Sequence, residues 1–273
     1  MGLPRLPPEA AHLGHNTPRA RLIARQNILD TWSTYREPWL TWVNARLPYG
    51  HVLDFGAGHG EIWRSSPRLD DTLFSSLTLA DYLLKTEVQH ALRAQGVGVN
   101  VVQLVDEKGQ RMRELPFQKD RFDVVVANLM GDLFGEWEDV GKLLEEFKRV
   151  LKSGGSIVVA LSGRDHLEEL FVLEEKVRGP GAWGSRPGLT AENAVGLLEQ
   201  HFEDLVVERY PADYEIRDVE SVIEYWGNWG DKGLTEEQLD VAKREVEQKL
   251  SGGVWRVKGN LVLVRGRKKD TRV

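Results

Sequence analysis

No cysteine occurs anywhere in the 273 residues, which removes disulfides, thiolate nucleophiles and cysteine-based zinc sites from consideration. No apolar run approaches membrane-spanning length either; the nearest, Phe122 to Met130, suits a strand. The opening Met-Gly-Leu-Pro-Arg-Leu-Pro-Pro lacks the apolar block of a signal peptide, so the cytoplasm is the expected address and no membrane partner is expected. Positive charge is in deficit: 36 Lys and Arg against 42 Asp and Glu leave a net charge of −6, which disfavours a general nucleic-acid binder. The basic run Arg265 to Lys269 reads as a solvated tail. His12 and His15 have metal-like spacing but no further ligands, so no metal site is expected. There is no internal repeat and no low-complexity tract. What remains, 41% hydrophobic and 29% charged residues, is the composition of a soluble globular protein with one large or two small domains.

The most informative stretch is His51 to Glu61, His-Val-Leu-Asp-Phe-Gly-Ala-Gly-His-Gly-Glu. Val52 and Leu53 form a short buried strand that runs into Asp54, and a loop follows with glycine at positions 56, 58 and 60. A strand, a glycine turn and a helix open a nucleotide-binding α/β fold, because glycine lets the backbone turn sharply or lie against a ligand. A dinucleotide fingerprint would need its third glycine where Glu61 stands, so that ligand class does not fit.

Around this unit the chain alternates strands and helices. The Pro-rich residues 1–18 form an irregular arm. A helix runs from Arg19 through Ile28 and Trp32, Pro38 interrupts it, and a second piece follows from Trp39 to Leu47. This segment serves either as a lid or as an amphipathic cover on the sheet edge. Leu77 to Asp81, Val97 to Val105, Phe122 to Asn128 and Ser156 to Leu161 read as strands, with helices Leu83 to Gln95 and Val140 to Leu151 between them. Further on, Asp165 with Glu168 and Thr235 with Gln238 are capping-box patterns, and Thr190 caps a helix ending near Phe202. Leu205 to Tyr210 and Val254 to Val264 are the last strands, as an edge hairpin pair, with a helix over Asp218 to Trp229 between them. Such alternation means an open parallel sheet with crossover helices.

Several segments together resemble the class I S-adenosylmethionine (SAM)-dependent methyltransferases, in particular the type 11-like small-molecule group that includes quinone-pathway enzymes. They are Val52-Leu-Asp-Phe-Gly-Ala-Gly-His-Gly60, Leu77 to Asp81, Leu115-Pro-Phe117, Arg121 to Asn128, and Phe147 to Gly155. The resemblance is strong from about residue 50 to 161. It implies an α/β fold with a seven-stranded, mostly parallel sheet in the order 3-2-1-4-5-7-6. Strand 7 is antiparallel, helices cover both faces, and a helical insertion lies between strands 6 and 7. The expected organisation is an N-terminal arm and helical cover over residues 1–48 and a SAM-dependent methyltransferase domain over 49–268, with the insertion at about 212–252.

The resemblance also implies a cofactor site for SAM, with S-adenosyl-L-homocysteine (SAH) as product. Gly56, Ala57, Gly58, His59 and Gly60 lie along it, with Asp54 ordering the loop and accepting from the amino group. Asp81 takes the ribose hydroxyls, and Tyr82 or Leu83 lies on adenine. Asp106, or Glu107 one residue on, accepts from the adenine amine. Asn128 and Leu129 lie at the methionine end. Two features depart from the family: Leu129 to Gly135 offers no histidine, and Glu107 to Glu114 is longer than usual. The expected activity is in-line methyl transfer to oxygen, nitrogen or carbon of a small molecule, with Tyr35, Asp132 and Glu136 as candidate bases. The alternative is a SAM-binding protein of this fold acting as a non-catalytic partner. His201 reads as a core histidine and Trp255 as core; Trp226 to Trp229 either packs in the core or faces the acceptor. The oligomeric state is not readable from the chain.

Overall fold

The computed structural model describes residues 18–64, 74–82, 99–105, 112, 114–129, 140–180, 189–228 and 233–269. The chain folds as two compact units. The first gathers Met1–Pro38, Asp165–Ser185 and Pro211–Gly259; the second gathers Trp39–Arg164, Arg186–Tyr210 and Asn260–Val273.

The second unit carries the main sheet: β1 Gly50–Phe55, β2 Phe74–Asp81, β3 Val99–Gln103, β4 Phe122–Asn128, β5 Leu151–Ser162, β6 Phe202–Arg209 and β9 Leu261–Lys268. Their order is β3-β2-β1-β4-β5-β9-β6, with β9 antiparallel to both of its neighbours. This is the expected order, β9 standing as the seventh sheet strand because two short strands between β6 and β9, Tyr214–Ile216 (β7) and Trp255–Val257 (β8), pair with each other instead. Leu53, Phe55, Val125, Ala127, Ile157 and Val159 point to one face and are buried with Leu143, Leu144 and Phe147 of helix Val140–Val150. The alternate residues Val52, Val124, Val126 and Val158 are buried as well, so both faces are covered, as continuous apolar strands require.

The first unit is mainly helical, built from helices Pro18–Trp32, Glu168–Arg178, Val219–Gly227 and Glu236–Lys249 with the short ladder of β7 Tyr214–Ile216 and β8 Trp255–Val257. Its core contains Trp32, Leu170, Ile216, Tyr225, Trp226 and Val246. Trp32 lies 5.4 Å from Tyr225, ring to ring, and its Nε1 donates to Ser221 Oγ at 3.0 Å. The helix before Pro38 therefore packs on helices from the 211–259 segment of its own unit. Trp226 is fully buried here, which removes it from any acceptor-facing role, and Trp255 is buried as expected. Trp229 and Trp183 lie outside the described residues.

Local expectations divide by whether a distant contact intervened. Thr235 and Gln238 form the reciprocal capping box, and Asp218 caps the helix Val219–Gly227 through Ser221 N. Asp165 does not cap. Helix Glu168–Arg178 begins after Leu167, which sits at φ 56°, while Asp165 pairs with Lys258. The helix expected after Thr190 is only Ala194–Leu198, and it begins after Asn193, whose Oδ1 accepts from Thr190 N. β6 begins three residues earlier than expected, at Phe202. The run Val254 to Val264 is two strands, because the chain leaves the β7–β8 ladder at Lys258 and enters the main sheet at Leu261. Gly259 lies in that crossing, where any Cβ would collide with the Ala212 carbonyl oxygen. β9 is consequently internal to the sheet, and β6 is its edge.

Candidate active site

Strand register brings several of the expected cofactor residues together. Phe55 of β1 is level with Ala80 of β2 and Ala127 of β4, and Asp81 of β2 is level with Gln103 of β3. The next residue along each strand therefore falls in one row at the carboxyl edge: Asp81, Gly56 and Asn128. With strands about 4.8 Å apart, that row spans about 10 Å. In an open α/β sheet, ligands bind outside this edge, where the strand order reverses. Here the reversal is between β1 and β4.

The loop after β1 is shaped by its glycines. Gly56, Gly58 and Gly60 have φ of 70°, 54° and 70°, the left-handed region that a side chain disfavours. Gly56 N and Ala57 N both donate to Ala80 O, at 2.7 and 3.3 Å, which ties the loop to the end of β2. Gly58 N donates to Asp81 Oδ2 at 2.9 Å. A Cβ on Gly58 would meet nothing within 4 Å, so open space lies directly beside the backbone there. His59 is half-buried in the same turn.

Two acids stand under this loop. Asp54 is fully buried, and its Oδ2 accepts from Trp63 Nε1 at 2.7 Å. Its pKa is pushed up from 3.8 to about 7, chiefly by burial, with the Trp63 bond opposing and the neighbouring Asp81 charge adding to the rise. Asp81 is itself buried. Tyr82 is buried in the core cluster that includes Leu104 and Phe117, and its carbonyl accepts from Gln103 Nε2 at 3.0 Å. At the other end of the row, Asn128 Oδ1 accepts from Trp39 Nε1 at 3.3 Å. Leu129 follows in the left-handed region, at φ 52°, with 41% of its surface exposed.

Residues 53–159 match the family profile described as a methyltransferase domain. That segment contains the second half of β1, the glycine loop, the Asp81 turn, β4 and most of β5. The match covers less than half of the chain, and the main sheet has the fold of the class I methyltransferases. Structures sharing its fold include a Bacillus halodurans C-125 protein solved as a candidate methyltransferase, at 17% identity and TM-score 0.53, covering 85% of this chain and 97% of that one. Another is phosphoethanolamine N-methyltransferase 2 of Haemonchus contortus with S-adenosyl-L-methionine, at 16% identity and TM-score 0.52, covering 94% of this chain and 59% of that one. Among curated proteins, the mouse mitochondrial protein named arginine-hydroxylase NDUFAF5 is 28% identical over 212 residues, covering 73% of this chain. The chain spans 57% of that relative's length.

Asp54, the glycine loop, Asp81, Tyr82, Asn128 and Leu129 thus gather at the carboxyl edge of the main sheet. Asp106, Glu107, Asp132, Glu136 and Leu83 lie outside the described residues. Tyr35 belongs to the helical unit and is half-buried, its backbone N–H and carbonyl both bonded to the Ser33 hydroxyl. His201 is half-buried beside Phe202. Sequence reasoning missed Trp63 and Trp39, the indoles that hold Asp54 and Asn128. Trp63 had a local signal, standing nine residues past Asp54 in the short helix Glu61–Arg64; Trp39 is 89 residues from its partner and had none. Among the described residues, no group of three or more His, Asp or Glu side chains is placed to hold a metal, and no helix is long and apolar enough to cross a membrane.

Proposed function

We propose that the protein transfers a methyl group from SAM to a small-molecule acceptor at oxygen, nitrogen or carbon. The observation that carries this reading is the pair of neighbouring buried acids Asp54 and Asp81 at a turn of three left-handed glycines, with open space beside the Gly58 backbone. Two neighbouring acids, one already pushed toward neutrality, suit a ligand that brings positive charge. Bound SAM supplies an electrophilic methyl on a sulfonium sulfur together with an ammonium group.

The chain's own residues bind, orient and exclude water. Asp81 accepts from the ribose hydroxyls with the oxygen face turned from Gly58, and the loop backbone lies along the nucleoside. Asp54 fixes the loop through Trp63 and responds to the ammonium charge. Asn128 and Leu129 border the methyl end. Methyl displacement disperses charge, so alignment of acceptor and methyl supplies much of the acceleration, up to about 7–11 kcal/mol in favourable cases.

The test is calorimetry with SAM and SAH, followed by transfer of a labelled methyl group from SAM to the small-molecule fraction of a cell extract. Binding with label in that fraction supports the reading. Binding without transfer to any fraction favours a non-catalytic partner, and no binding refutes the site. The relative's name motivates a second reading, hydroxylation of an arginine side chain, for which added dioxygen and a two-electron reductant would supply the inserted oxygen and release the other oxygen atom as water. Intact-mass analysis separates the two, since an acceptor then gains an oxygen rather than a methylene.

A further inference from the structure

Trp39 begins the helix Trp39–Asn44 and is almost fully buried, stacked on Trp42 with ring centroids 5.4 Å apart and edge-on to Tyr210 at 5.2 Å. Its indole position is therefore fixed by packing. An indole N–H only donates, whereas an asparagine side chain has an accepting oxygen at one end and two donors at the other. The 3.3 Å contact consequently decides which way the Asn128 amide is turned: Oδ1 faces Trp39 and Nδ2 faces away. Among the described residues Nδ2 has no hydrogen-bond partner, and Asn128 is half-buried at the end of β4. Beyond it the chain turns through Leu129, a strained left-handed residue with an exposed apolar side chain.

We propose that Asn128, held by Trp39, is the specificity contact for the methyl acceptor and presents N–H donors to it. The acceptor then carries an oxygen with free lone pairs beside the methylated atom, as a carboxylate, a carbonyl or a phenol does. An ammonium at that point meets two N–H groups and is rejected. A site built to donate discriminates strongly against a partner that cannot accept, because the donor that such a partner covers is left unmatched. Trp39 is a positioning residue: it touches no substrate and acts by denying the amide its other orientation. The inference rests on the methyltransferase reading.

The experiment uses the full chain, uniformly ¹⁵N-labelled and saturated with SAH, whose binding is first measured by calorimetry. The Asn128 side-chain amide signal is identified by its loss in Asn128→Asp. Sodium benzoate, phenol and benzylammonium chloride are then titrated separately. The expected result is a saturable shift of the amide signal with benzoate or phenol and none with benzylammonium. In Trp39→Phe, which keeps an aromatic ring but loses the N–H, that preference disappears. A shift with benzylammonium, or with none of the three, overturns the proposal. A preference unchanged in Trp39→Phe overturns the positioning role, and a Trp39→Phe chain that fails to fold leaves the wild-type titration as the deciding measurement. Absence of SAH heat overturns the cofactor site itself, so the two failures are told apart before any probe is added.

Discussion

Replacing Asp54 by Asn tests the electrostatic core of the site. The carboxyl is fully buried, with its pKa pushed from 3.8 to about 7. That displacement corresponds to about 4 kcal/mol of preference for the neutral form in the folded chain. The raised value means the folded state holds a proton that the unfolded state releases, so the group's stabilising contribution is complete below 3.8. It fades as the pH rises and is gone above about 7. Asparagine keeps an oxygen to accept from Trp63 Nε1 and never ionises. Asp54→Asn should therefore gain on the wild type by as much as about 4 kcal/mol between about pH 4 and pH 8. The assay is urea unfolding followed by circular dichroism at several pH values, read as the difference between the two proteins. Glu174, in the helical unit, is also pushed up to about 7 by burial, and taking the difference cancels it. A difference that stays flat, or that moves in favour of the wild type as pH rises, would refute the reasoning.

Three further outcomes follow from the geometry. Asp81→Ala should weaken SAM binding by about 1.5–3 kcal/mol, the worth of hydrogen bonds to a charged group; unchanged affinity by calorimetry would mean the ribose lies elsewhere. Gly58→Ala should lower stability by about 1–2 kcal/mol through left-handed strain. Its SAM affinity should fall further, because the new Cβ stands in the open space beside the loop; a wild-type affinity would remove the loop from the site. His166, in the helical unit, has its pKa pushed down by burial from 6.5 to about 4, so the folded chain resists its protonation. Relative to His166→Gln, the wild type should gain stability as pH rises across that interval, read as the difference between the two proteins in an acid-unfolding series, where the opposing contributions of Asp54 and Glu174 cancel.

The sheet and half of the site were legible because their signals are local. Asp54 with glycines at 56, 58 and 60 fixes a strand and a turn within ten residues, and the apolar run Phe122 to Asn128 specifies a strand covered on both faces. The Thr235–Gln238 box is equally self-contained. Failures came where a distant residue outbid a neighbour. Lys258, 93 positions away, takes Asp165 from its helix. Ala212 pinches the chain at Gly259 and splits the last strand, and the core around Tyr225 claims Trp226. The partner of Asn128 was hidden for the same reason: nothing near residue 128 announces an indole from residue 39.

The position of β9 sets a timetable for synthesis. Among the described residues, β6 bonds only to β9, and β5 bonds on that side only to β9. Until residues 261–268 leave the ribosome, both strands keep naked hydrogen-bonding edges of the kind that invite pairing with other chains. The insertion at 211–259, by contrast, is already complete by then. Helices are thus free to consolidate while the β-architecture waits for its last member, and a ribosome stalled before Leu261 leaves the nascent product prone to aggregate.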